Sequence, residues 1–198
     1  MDSWKTRIEN GLSHLKRRTL GDDHRGDAAV LVAILPGGTE PSFLLTKRSQ
    51  TVATHKGHIS FPGGMREPRD STLESTALRE THEELGIEPA LVTLLGSLHE
   101  YMAATGHRVS PFVGWLAPEP TVQLDTAEVE YVIRVPFPFF LEQAPRVEEV
   151  YWRKRMHNLY YYEFEGDTVW GLTAAIIRDF LHVLEPSNPL LAPPPAND

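Results

Sequence analysis

The chain has 198 residues, no cysteine and a formal net charge of −8. That length suits one domain, and the lack of cysteine excludes a disulfide framework, a thiol nucleophile and a thiolate metal site. The acidic balance argues against binding along a nucleic-acid backbone, which calls for a basic footprint. The longest apolar run, Ala28–Leu35, is far short of the ~20 residues a membrane-spanning helix needs. No uninterrupted apolar stretch near the start reads as a signal peptide. The expectation is a cytoplasmic protein that engages neither membrane nor nucleic acid.

In chain order, Trp4, Ile8, Leu12 and Leu15 recur at helical spacing among basic residues, which predicts a packing helix. Residues 21–27 are a polar connector, so 1–27 form a helix plus linker ahead of the main domain, 28–184. Ala28–Leu35 reads as a buried strand, with a Pro36-Gly37-Gly38 turn leading to a partner strand, 43–48. A polar stretch, 49–60, runs into Phe61-Pro62-Gly63-Gly64, which forces a tight turn. The clearest helix follows: Ser71 and Glu74 fit a capping box, Gly86 a C-cap, and Leu73, Ala77, Thr81 and Leu85 form the packing stripe. Strands are expected at 92–98, 109–116, 129–135 and 159–164, and a last helix at 172–184. The proline-rich segment 185–198 reads as a disordered tail. Strands mixed with helices make an α/β or α+β layered fold.

The chemically informative segment is Arg79-Glu80-Thr81-His82-Glu83-Glu84-Leu85-Gly86. Glu80, Glu83 and Glu84 share one face at the C-terminal end of a helix, where like charges and the helix dipole both oppose them. A hard divalent cation among the carboxylates would offset that cost, and Mg²⁺ takes such oxygen ligands. A solvated acidic face explains the cluster alone about equally well.

Gly64, five residues, Asp70, then Arg79-Glu80-x-x-Glu83-Glu84-x-Gly86-Ile87 resembles the Nudix box, G-x5-E-x7-R-E-U-x-E-E-x-G-U. Asp70 replaces the motif's glutamate, and the spacing to Arg79 is one residue longer. Leu44-Leu45-Thr46-Lys47-Arg48-Ser49, then His55, Gly57 and Phe61–Gly64, resembles a further motif of the coenzyme A pyrophosphatase branch, which the longer spacing also fits. Asp125–Val129 and Trp170–Ala174 are similar to later segments of that branch.

The resemblance implies a Nudix α/β/α sandwich with a mixed β-sheet between helices. It also implies hydrolysis of coenzyme A to 3′,5′-ADP and 4′-phosphopantetheine with Mg²⁺ or Mn²⁺. By carry-over, Glu80 and Glu84 are metal ligands with the Gly63 carbonyl. Glu83 is a second-metal ligand or the general base, and Arg79 orients the glutamates. Glu128 is a base from outside the box, though Glu130 matches it by strand alternation. Lys47, Arg48, His55 and Lys56 are phosphate contacts, and Trp170 or Tyr160–Tyr162 could stack on adenine. His55-x-x-His58 is a weak transition-metal signal. Alternatives are a Nudix hydrolase of NADH or ADP-ribose, a nucleotide-binding Nudix module without turnover, and RNA decapping, which the charge disfavours. No P-loop motif is present. Oligomeric state stays open, a homodimer included.

Overall fold

In the computed structural model, residues 3–50 and 57–192 are described. Their elements run α1 (Trp4–His14), β1 (Asp27–Leu35), β2 (Ser42–Arg48), β3 (Ile59–Ser60), β4 (Gly63–Met65), α2 (Leu73–Leu85), β5 (Val92–Ser97), β6 (Tyr101–Met102), β7 (Arg108–Leu116), β8 (Val129–Pro136), α3 (Phe137–Glu142), β9 (Arg146–Trp152), β10 (Arg155–Phe164), β11 (Asp167–Trp170) and α4 (Gly171–Leu184). A short 3₁₀ turn, Pro89–Leu91, precedes β5.

The apolar run of β1 is buried on both faces. Ala29, Leu31, Ala33 and Leu35 join Ala77 and Leu85 of α2, while Val32 and Ile34 join the cluster shared with α1, α3 and α4. Burial on both sides is why the run does not alternate with polar residues. β1 pairs in parallel with β7 along nearly its whole length. It meets β2 antiparallel only at Ile34↔Phe43 and Leu35↔Ser42. Beyond that point β1 and β2 diverge, β3 pairing with β2 and β4 with β1. β8 closes the far side of β2, and β5 and β6 lie along β7. The result is a mixed sheet with helices on both faces, the α/β/α sandwich that the resemblance implies.

Phe43 anchors the core on the α4 side, with Phe61, Phe137, Phe140 and Phe180 around it at centroid distances of 4.4–5.8 Å. Ile8 and Leu12 of α1 are buried in the same core. The helix expected over the first residues is therefore part of the main packing unit.

Four expectations need correction. The cap of α2 is Thr72 with Ser75: each hydroxyl bonds the other residue's backbone N–H at 3.1 Å, whereas Ser71 lies outside the helix. Such a cap is worth ~1 kcal/mol. The segment 185–192 is packed: Leu191 is buried, and the Arg178 guanidinium donates to the Leu190 carbonyl at 2.6 Å and the Ala192 carbonyl at 3.3 Å. Of the segment 185–198, residues 193–198 lie outside the described residues. The strand at 159–164 is the end of a longer β10, in a three-stranded sheet with β9 and β11. β9 escaped notice because it is exposed and charged through Arg146, Glu148 and Glu149, so it has no apolar alternation. Finally, Glu128 sits in the turn before β8, so strand alternation with Glu130 does not apply to it.

Candidate active site

The divergence of β1 and β2 places residues 59–65 between them, with Gly63 and Gly64 beside the C-terminal half of α2. Gly63 has φ 153°, and a Cβ there would meet the Ala29 carbonyl oxygen at 2.3 Å. A Cβ on Gly64 would meet the Glu80 carboxylate at 2.6 Å. Only glycine lets this backbone pass between the sheet and the glutamate.

Glu84 is 2 % exposed. Its Oε1 lies 3.4 Å from Arg48 Nη1, and the Gly63 N–H donates to the carboxylate. Its Oε2 is buried with no hydrogen-bond partner among the described residues. Burial first, then the charges of Glu80 and Glu128, push the Glu84 pKa up to about 8 against the pull of Arg48. The Glu80 carboxyl is also pushed up, chiefly by burial, with Glu83 and Glu128 adding to it. The charges of Glu80 and Glu128 thus both act on the buried Glu84 carboxyl.

Glu128 is brought there by a fastened loop. Gln123 and Asp125 donate backbone N–H groups to the Leu85 and Glu84 carbonyls at 2.8 and 3.0 Å, so the loop closes the open end of α2. The Asp125 carboxylate accepts the Ala127 N–H at 2.9 Å, and the Glu128 carbonyl accepts the Ser49 N–H at 2.8 Å. Gly86, left-handed at φ 66°, turns the chain out of the helix.

Arg79 is the hub of the acidic face. It donates to Asp70 through Nε and Nη2, to Glu83 through Nη1 at 2.7 Å, and to the Met65 carbonyl at 3.0 Å. Its Nη1 also lies 2.9 Å from Glu80 Oε1. Glu83 is half exposed and has both oxygens engaged, Oε2 by Arg79 and Oε1 by Arg69 at 2.8 Å. Among the other predicted residues, Lys47 is committed to an ion pair with Asp167, which also accepts the Tyr131 hydroxyl at 2.8 Å. His55 and Lys56 lie outside the described residues. Trp170 stacks on its cross-strand partner Tyr161 at 5.6 Å, and Tyr162 is buried in the core. Both tyrosines therefore have packing roles.

Several residues of the site escaped the sequence reading. Asp70, in sequence only a departure from the motif, is the carboxylate that fixes Arg79, with the Thr76 hydroxyl donating to it at 3.0 Å. Arg69 and Asp167 have no local signal at all. Asp167 meets Lys47 from a different sheet, so nothing in sequence spacing could pair them.

The donor set suits a hard divalent cation. It is all oxygen, includes a buried carboxylate oxygen that lacks a partner among the described residues, and stands where glycine leaves room. Among the described residues no three His, Asp or Glu side chains stand close enough together to hold a metal ion by themselves. Mg²⁺ does not require three, because it keeps waters and substrate phosphates in its shell.

A model of the NUDIX domain matches residues 24–153. The chain is 37% identical over 162 residues to the uncharacterized Nudix hydrolase NudL of Photorhabdus laumondii, covering 81% of this chain and 86% of that protein. It is 39% identical over 160 residues to Nudix hydrolase 22, chloroplastic, of Arabidopsis thaliana, covering 76% of this chain and 52% of that one. A solved MutT/nudix family protein from Enterococcus faecalis superposes with TM-score 0.52 over 93% of this chain and 76% of that one; at 14% identity it speaks for the fold alone. Carrying the family's domain over most of its length and its glutamates on one helix end, the chain belongs to the Nudix family and is a pyrophosphohydrolase of nucleoside diphosphate derivatives.

Proposed function

We propose that this enzyme hydrolyses the pyrophosphate of coenzyme A to 3′,5′-ADP and 4′-phosphopantetheine, using Mg²⁺ or Mn²⁺. The observation that carries the metal-dependent reading is the buried Glu84 carboxylate, one oxygen of which has no hydrogen-bond partner among the described residues and whose charge is opposed by Glu80 and Glu128. An uncompensated charge in that position is costly. Glu80 and Glu84, with the Gly63 carbonyl, are the residues that would hold the cation. When bound, the ion supplies an activated water and neutralises charge on the phosphoryl oxygens.

The chain's own residues do the rest. Arg79, fixed by Asp70, holds Glu80 and Glu83 in place by charge-assisted hydrogen bonds. Glu128 is the general base that takes the proton of the attacking water. Glu83 is the weaker base, because both its oxygens already accept from arginines. Arg48, beside Glu84, contacts substrate phosphate with its guanidinium fork. Lys47 stays with Asp167, so the remaining phosphate contacts fall to His55 and Lys56. A cytoplasmic location goes with this reading.

The choice of coenzyme A is supported by the resemblance of Leu44–Ser49 and Phe61–Gly64 to the branch motif. The test is kcat/KM with Mg²⁺ on coenzyme A, dephospho-coenzyme A, NADH and ADP-ribose, products identified by mass spectrometry. One charged hydrogen bond to the 3′-phosphate predicts a roughly ten- to hundredfold advantage of coenzyme A over its dephospho form. A preference for NADH or ADP-ribose overturns the substrate assignment.

A further inference from the structure

Arg69 sits in a turn, Glu67-Pro68-Arg69-Asp70, whose second position suits the fixed φ of proline. The Asp70 N–H donates to the Glu67 carbonyl at 2.9 Å, and the Glu67 N–H donates to the Asp70 carboxylate at 2.8 Å. Asp70 is buried against Arg79, whereas its neighbour Arg69 stays exposed and still reaches α2. Its Nη2 donates to Glu83 Oε1 at 2.8 Å, while its Nε lies 2.8 Å from Glu67 Oε2. One guanidinium thus joins two carboxylates from different elements.

Two cations of unlike standing therefore hold Glu83. Arg79, on Oε2, is largely buried and is also tied to Asp70, Glu80 and the Met65 carbonyl. Arg69, on Oε1, has a side chain 60 % exposed, and its two carboxylates are half exposed themselves. A carboxylate oxygen has a second lone pair, so this contact alone does not seal Oε1. What Arg69 adds there is a positive charge, which at a few ångströms opposes a divalent cation.

We infer that Arg69 competes with a second divalent ion for Glu83, so that this enzyme holds one ion tightly, at Glu80 and Glu84, and a further one weakly. The inference rests on the metal-dependent reading of Glu80 and Glu84, and it gives a role to an arginine outside the motif. It also separates the two tasks open to Glu83: with Arg69 in place, the side chain is an anchor for Arg79 and not a metal ligand. Exposed ion pairs add little to stability. The measurable effect of Arg69 therefore falls on cation binding at Glu83 and not on folding.

The probe is Mn²⁺, titrated into the enzyme without substrate while the electron paramagnetic resonance signal of the free ion counts what is unbound. Wild type should bind one Mn²⁺ more tightly than any further one, and Glu84→Gln should weaken that first ion. Arg69→Ala should tighten the second ion at least about threefold, the scale of an exposed charge interaction, with an unchanged melting temperature. Arg69→Lys, which keeps the charge, should bind as wild type does. In the double variant Arg69→Ala with Glu83→Gln the gain should vanish, which locates the second ion at Glu83. Equal isotherms for wild type and Arg69→Ala overturn the inference, as does a gain that survives Glu83→Gln or that Arg69→Lys shares. Failure of the underlying reading looks different: Glu84→Gln would then leave the first Mn²⁺ in place.

Discussion

Arg79 and Asp70 meet as a two-pronged ion pair, Nε to Oδ1 at 2.9 Å and Nη2 to Oδ2 at 3.0 Å, with Asp70 almost wholly out of solvent. The guanidinium holds the Asp70 carboxyl well below the usual carboxylate range, while Asp70 first and then Glu83 raise Arg79 further. The pair connects the loop after β4 to α2 and fixes the arginine that orients the glutamates.

Asp70→Asn should therefore cost about 3 kcal/mol of stability, because it breaks a largely buried pair and takes from Arg79 its most buried counter-charge. A depressed carboxylate pKa gives stability that is present above about pH 4 and lost as pH falls. Urea denaturation of wild type should thus weaken more steeply between pH 4 and 2 than that of the variant. Parallel slopes would show that the pair does not stabilise the fold.

Glu84→Gln and Glu80→Gln should each lower turnover more than about a hundredfold, beyond the cost of losing a supporting residue around a metal. In metal-free buffer near neutral pH their melting temperatures should equal or exceed wild type, since each removes a carboxylate that burial disfavours in its charged form. Near-normal rates at saturating Mg²⁺ would rule out the ligand assignment.

Glu128→Gln should reduce kcat by ~10²–10⁴-fold, the contribution of a positioned general base. Glu83→Gln should reduce it less, because that side chain is already bound by Arg69 and Arg79. The two variants need steady-state kinetics and circular dichroism side by side. If neither slows hydrolysis tenfold, the base is another group.

Arg178→Ala should destabilise the protein by about 3 kcal/mol. The buried guanidinium serves the Tyr162 hydroxyl and the Leu190 and Ala192 carbonyls, and lies 3.9 Å over the Tyr160 ring. Truncation after residue 188 should cost stability too, by removing buried Leu191. Thermal denaturation measures both, and an unchanged melting temperature for the truncated chain would mean that the segment contributes nothing to the packed state.

By itself the sequence determined what is local. The period of α2, its terminal Gly86, the buried run of β1 and the R-E-x-x-E-E-x-G core depend on neighbours a few residues apart, and their spacing carries the information. Even there the cap shifted by one residue, because the reciprocal hydroxyls of Thr72 and Ser75 outcompete the Ser71–Glu74 pairing. What tertiary structure alone decided is long-range. Lys47 is taken by Asp167 from another sheet, the loop that carries Glu128 is tied by backbone hydrogen bonds to Glu84 and Ser49, and residues 190–192 are held by Arg178. Partners so far apart in the chain leave no periodic trace, and only the packed sheet and helices bring their charges within reach of each other.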